Sequence, residues 1–158
     1  YTGTTVEFAA PMATSMLCML SKNPQWNAPV NIYATSVKTI DFLMANLVSN
    51  TAFNSPVTIE SRSALTTIGY AFSKLSAWNS PLRITDTSGV TAMYATFSGA
   101  NAFNQPLYFS TGSLQDVTLL FESAFAFNQR LAHWTTSRVT TLQETFKNAY
   151  SFDRPLGR

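Results

Sequence analysis

The stretch Asn101-Ala102-Phe103-Asn104-Gln105-Pro106-Leu107 has relatives along the whole chain, and this recurrence restricts the fold more than any other feature. It returns as Gln25-Trp26-Asn27-Ala28-Pro29-Val30, Ala52-Phe53-Asn54-Ser55-Pro56-Val57 and Ala77-Trp78-Asn79-Ser80-Pro81-Leu82. Ala126-Phe127-Asn128-Gln129-Arg130-Leu131 and Ser151-Phe152-Asp153-Arg154-Pro155-Leu156 complete the set. The aromatic anchors Trp26, Phe53, Trp78, Phe103, Phe127 and Phe152 are separated by 27, 25, 25, 24 and 25 residues. A period in that range predicts supersecondary units that bury their apolar faces only by stacking on one another. Residues 1–158 then form a single repeat domain, a solenoid of about six turns of 24–27 residues, which a longer array could contain.

Apolar residues keep phase with the anchors. Ten positions before each stand Met16, Leu43, Ile68, Met93, Val117 and Leu142; six before stand Leu20, Leu47, Phe72, Phe97, Phe121 and Phe146. Three before the later anchors stand Ala100, Ala124 and Ala149. These offsets match the i, i+4, i+7 stripe of a helix and predict one short helix per turn, for example over 92–100. Thr14, Asp41, Thr66, Thr91 and Thr140 sit where they would cap those helices, and Gly99 fits a helix end. After each anchor comes a brief alternation, Val30-x-Ile32, Val57-x-Ile59, Leu82-x-Ile84 or Leu107-x-Phe109. Alternation launched by proline predicts a short strand with one face inward. The expected fold is therefore an α/β solenoid, a right-handed stack with one short helix and one or two short strands in each turn. The residues after the anchors, Asn27, Asn54, Asn79, Asn104, Asn128 and Asp153, are expected to form a structural ladder at a corner.

Only 11% of the residues are charged, against roughly 25% in an average soluble domain, so the surface is expected to be neutral and hydroxyl-rich. The net charge is +2, and the lysines and arginines stand singly, without the basic stripe that nucleic-acid binding requires. No apolar run reaches the roughly 18 residues of a membrane span. The chain lacks a starting Met, a signal peptide and a lipidation motif, which reads as a processed or excised piece.

Val90-Thr91-Ala92-Met93 leads through Phe97 and Ala100 to Phe103-Asn104 and Leu107, and Val139-Thr140-Thr141-Leu142 leads through Phe146 and Ala149 to Phe152-Asp153. Trp134 stands three after Leu131. This pattern, strongest over about 64–156, resembles the BspA-like surface-protein repeat, a leucine-rich-repeat relative also known as the DUF285 repeat. The resemblance implies a leucine-rich-repeat-like fold, a surface-exposed or secreted setting, and adhesion or protein binding. It implies no catalytic residues.

The residues themselves show little that could catalyse a reaction. Cys18 is the sole cysteine and reads as a small core hydrophobe. His133, the sole histidine, falls in the inward column with Ile32, Ile59, Ile84 and Phe109 and reads as a packing residue. The carboxylates form no paired motif, and no phosphate loop, dinucleotide fingerprint or zinc-ligand spacing is present. No enzyme activity, metal or cofactor is expected. Tyr33, Tyr94, Tyr108 and Trp134 are the candidate binding surface of a surface or secreted contact protein that meets a protein partner or cell-surface component. The alternative is a structural subunit of a filament or larger complex, joined through its solenoid ends by self-association or heteromeric assembly. A flat threonine face for ice or polysaccharide, from Thr66-Thr67, Thr135-Thr136 and Thr140-Thr141, is interrupted by Asp41, Phe42, Gln115 and Asp116.

Overall fold

A computed structural model describes residues 4–20, 27–45, 52–62 and 64–155. The anchor Trp26 and the apolar Leu47 lie outside these residues. Four strands, β1 (Val6–Ala9), β2 (Val30–Tyr33), β3 (Val57–Glu60) and β4 (Leu82–Ile84), form one parallel sheet in chain order. The register follows the repeat: Val6 pairs with Val30, Val30 with Val57 and Val57 with Leu82. Proline precedes β2, β3 and β4 because it cannot donate to the ladder but can still accept. Val6, Val30 and Val57 donate to the carbonyls of Pro29, Pro56 and Pro81 at 2.8, 3.0 and 3.0 Å.

The expected helix in each turn is absent. Among the described residues there is no helix, and the segments that were to carry one are tandem four-residue turns. Thr96 N donates to Met93 O, and Ala100 N to Phe97 O, closing i to i+3 rings at 3.3 and 3.0 Å. The third residue of each turn has positive φ: Ala95 at 49° and Gly99 at 68°. Positive φ with an i to i+3 bond is the geometry of a type II turn. It recurs in one column at Cys18, Phe42, Tyr70, Ala95, Leu119 and Glu144, and in a second at Lys74, Gly99, Ser123 and Asn148. The intervening N–H groups donate to the next repeat: Met93, Ala95, Phe97 and Gly99 bond the carbonyls of Asp116, Thr118, Leu120 and Glu122 at 2.8–2.9 Å. Left-handed backbone costs a non-glycine residue about 1–2 kcal/mol. The geometry persists because it uses backbone donors inside the turn and across the stack alternately, whereas a helix would spend all of them within one segment.

The leucine-rich-repeat-like α/β assignment is thus corrected to a helix-free stack of parallel repeats. Tandem four-residue turns also bring side chains at offsets of four and three inward. Met93, Phe97 and Ala100 are all fully buried, so their spacing mimicked a helical stripe without requiring one. The threonines expected to cap helices take another role: Thr66, Thr91 and Thr140 hydroxyls bond the preceding repeat, at Lys38 O, Thr66 O and Gln115 O. The expected strand at Leu107-x-Phe109 is not formed, although both apolar residues are buried.

The core is one continuous cluster from Met16 to Trp134. Two aromatic columns run through it. Phe53, Trp78, Phe103, Phe127 and Phe152 follow one another at ring separations of 6.4, 4.9, 6.3 and 6.0 Å. Phe72, Phe97, Phe121 and Phe146 do so at 5.8, 5.5 and 5.5 Å. Rings from the two columns also stack within a repeat, Phe97 on Phe103 at 4.7 Å and Phe121 on Phe127 at 4.0 Å. Each buried aromatic contributes roughly 1.5–3 kcal/mol, and each ring pair a further ~0.5–1.5 kcal/mol.

Candidate functional site

Alternation along the strands sends Val30 and Ile32, Val57 and Ile59, and Leu82 and Ile84 into the core. The residues between them face outward, and the parallel register aligns them across the sheet. Glu7, Asn31, Thr58 and Arg83 form one row; Ala9, Tyr33 and Glu60 form the next. Neighbouring strands lie about 4.8 Å apart, so each row is a regular series of side chains. Tyr108, between the buried Leu107 and Phe109, stands in the next repeat along this face and is 81% exposed. Tyr33 is 40% exposed. The face carries both charge signs sparsely and is otherwise neutral.

His133 does not point inward as the spacing suggested; it is exposed. The reason is a one-residue excess between Leu131 and Trp134 relative to Leu107 and Phe109. A turn closed by Trp134 N on Leu131 O at 2.9 Å absorbs it. Trp134 thereby takes the core position, its ring 6.3 Å from that of Phe109, and is only 6% exposed. Trp134 is therefore removed from the candidate binding surface. His133 Nε2 lies 2.9 Å from Leu107 O, and since a carbonyl only accepts, Nε2 donates this bond. Its ring is 6.4 Å from that of Tyr108.

Tyr94 is also redirected. It is half-buried, and its hydroxyl donates to Asp41 Oδ2 at 2.8 Å across 53 residues of sequence. Asp41 Oδ1 accepts from Gly69 N at 2.6 Å. Asp41 was expected to cap a helix; instead its carboxylate joins three successive repeats. Burial, then the hydrogen bond and the charge of Asp41, with smaller contributions from Tyr70 and Asp116, push the Tyr94 phenol up to about 12. Tyr70 stacks on Phe42 at 4.8 Å and meets Tyr94 edge-on at 5.4 Å. Cys18, expected in the core, is exposed.

The corner asparagines act on the backbone. Asn27, Asn54, Asn79 and Asn104 accept through Oδ1 from the N–H of the next member of the column at 2.8–2.9 Å, and Asn128 accepts from Asp153 N at 3.1 Å. The residue after each one helps: Ser80 Oγ and Gln105 Nε2 bond the carbonyls of Asn54 and Asn79 at 2.7 and 2.8 Å.

Exposed apolar residues include Met12, Leu17, Leu142 and the stacked pair Phe125 and Tyr150, whose rings are 5.5 Å apart. Leu142 occupies an inward column, yet it is 61% exposed. An apolar cavity of about 190 Å3 is lined by Leu114, Phe121, Leu131, Trp134, Val139 and Phe146 among others. Among the described residues no group of three or more His, Cys, Asp and Glu side chains could hold a metal, and no helix is long and apolar enough to cross a membrane.

With this geometry in view, a family model described as "Mycoplasma protein of unknown function, DUF285" matches residues 66–158, more than half of the chain. The chain belongs to the DUF285 family. No curated protein and no solved structure matches it. The matched part of this DUF285 chain spans the repeats with the fullest set of stacked phenylalanines, from Phe72 to Phe152.

Proposed function

We propose that this DUF285 chain is a non-enzymatic contact module that binds a protein partner through the outward face of its sheet, in an extracellular or cell-surface setting. One observation carries the reading. Parallel sheets are ordinarily covered on both faces, yet here the row Glu7, Asn31, Thr58 and Arg83 and the adjoining Tyr33 and Tyr108 face outward. Exposed tyrosines on a rigid, regularly spaced support suit an interface, since a tyrosine offers large contact area at small entropic cost. The sparse charge on this face favours recognition by shape and hydrogen bonding over electrostatic attraction. The resemblance of residues 64–156 to BspA-like surface repeats points the same way.

The test is retention of the labelled 158-residue chain on an array of extracellular-matrix and cell-surface proteins. It is compared with a variant carrying Tyr33→Ser, Arg83→Ser and Tyr108→Ser. All three side chains face outward, so the variant should unfold at the wild-type temperature. Selective retention that the variant loses supports the reading; retention unchanged in the variant, or none on any surface, overturns it.

A further inference from the structure

We infer that the outward face of the sheet is self-complementary, and that the protein it fits is a second copy of this chain, related by a two-fold axis that runs along the strands between β2 and β3. This names a partner for the sheet face as a contact surface, and it rests on that reading. The first observation is what the face leaves unused. Elsewhere polar side chains bond neighbouring repeats: Asn27 and Asn54 accept from the N–H groups of Asn54 and Asn79, and the hydroxyls of Thr67, Thr96 and Thr145 bond Thr39 Oγ1, Ile68 O and Val117 O at 2.9–3.0 Å. On the sheet, the side chains of Glu7, Asn31, Thr58 and Arg83 in one row, and of Tyr33 and Glu60 in the next, have no hydrogen bond among the described residues. The one ion pair among those residues joins Lys147 to Glu144, in a turn segment.

The alternation that buries Val30, Ile32, Val57 and Ile59 turns these polar side chains away from the core and sideways from the stack. Their freedom is therefore a property of the sheet face itself, whatever repeats lie above or below it.

The second observation is the order of the groups. From β1 to β4 the first row reads carboxylate, amide, hydroxyl, guanidinium, one to a strand and about 4.8 Å apart. A two-fold axis between β2 and β3 sets β1 on β4 of the facing copy and β2 on its β3, and it keeps each row against itself. Glu7 then meets Arg83 of the second copy and Arg83 meets its Glu7, while Asn31 and Thr58 meet each other twice. In the next row Tyr33 meets Glu60 and Glu60 meets Tyr33, so each carboxylate faces a guanidinium or a phenol donor. Contacts in which one residue meets a second and the second meets the first are those of a two-fold dimer, which closes on itself. An axis on β3 instead sets Glu60 against Glu60, and an axis on β2 carries Arg83 past β1 of its partner. Only the position between them matches every charged group of the two rows. A face four strands wide is small for an interface, so the pairing belongs with transient contacts, and its charged pairs fix register more than affinity.

Sedimentation analysis of the 158-residue chain from micromolar to millimolar concentration tests this, with exchanged charges as the probe. The wild type is expected to pass from monomer to dimer as concentration rises and to grow no further. Glu7→Arg sets two arginines against each other on both sides of the axis, and Arg83→Glu sets two glutamates; each alone should weaken the dimer at least about tenfold. An equimolar mixture of the two variants opposes arginine to glutamate at both places and should restore dimers, now of mixed composition, to within about threefold of the wild-type affinity. Both side chains are exposed, and thermal unfolding at the wild-type temperature confirms that each variant keeps the fold. A wild type that stays monomeric at every concentration, a dimer indifferent to both exchanges, or a mixture that associates no better than its components overturns the inference. Selective retention on the protein array by a chain that stays monomeric leaves the sheet face a contact surface for another protein and excludes only the second copy. Dimers that obey the exchanges without any retention on the array do the reverse.

Discussion

Gly69→Ala isolates a single contact on which three repeats depend. Gly69 lacks the left-handed backbone of its neighbour Tyr70, so alanine is permitted there by its dihedral angles. The obstacle is space. An added Cβ would lie 2.2 Å from Tyr94 Cζ and 2.5 Å from both Cε atoms, against roughly 3.5–4.0 Å for carbon atoms in contact. The tyrosine ring must lift by on the order of 1.5 Å. That movement breaks its 2.8 Å bond to Asp41 and disturbs the edge-on contact with Tyr70. The bond to the carboxylate is worth about 1.5–3 kcal/mol and the ring pair about 0.5–1.5 kcal/mol. Restricting the unfolded chain returns about 0.4–1 kcal/mol, so a net loss of about 1–4 kcal/mol is expected. Urea unfolding followed by tryptophan fluorescence measures it. The decisive comparison is a double-mutant cycle with Tyr94→Ala: once the ring is gone, Gly69→Ala should become neutral or slightly stabilising. An equal cost in both backgrounds would refute the argument that Gly69 exists to seat Tyr94.

Four further outcomes follow from the same structure. Raising the pH should weaken wild type more than Tyr94→Phe: the folded phenol is raised to about 12 from 10.0, so its stabilising contribution is whole below pH 10 and is lost as pH climbs towards 12. Thermal unfolding across that range would show it, and parallel curves for the two proteins would count against the Asp41 contact. Asn104→Ala strands the N–H of Asn128 and should cost about 1–3 kcal/mol in urea unfolding, whereas Asn104→Asp, which keeps an acceptor, should cost clearly less. Phe103→Ala removes a ring stacked on Trp78, Phe97 and Phe127 and should cost about 3–5 kcal/mol, seen as a lower urea midpoint. Gly99→Ala, at φ +68° with the new Cβ 3.3 Å from Lys74 Cγ, should cost about 1–2 kcal/mol; a neutral result would show that the second left-handed column tolerates side chains freely.

The amino-acid sequence alone determined the period, which side chains share a column and which of them are apolar. The aromatic columns, the prolines before β2, β3 and β4 and the corner asparagines are all legible there, because each depends on residue type and spacing only. What closes each repeat was not. Offsets of four and three are common to a helix and to tandem four-residue turns, and the difference lies in where the N–H groups go. They go to the neighbouring repeat, so only the assembled stack could favour left-handed backbone at Phe42, Tyr70 and Leu119 over a helix. The same holds for the exchange of roles between His133 and Trp134, where one extra residue is absorbed by a turn whose position packing selects. Tyr94 looked like surface because nothing local marks its partner; the glycine that admits it is 25 residues away and the carboxylate that holds it 53. Hydrophobic pattern encodes which face turns inward, but the hydrogen bonds and contacts made between repeats exist only once the chain has folded back upon itself.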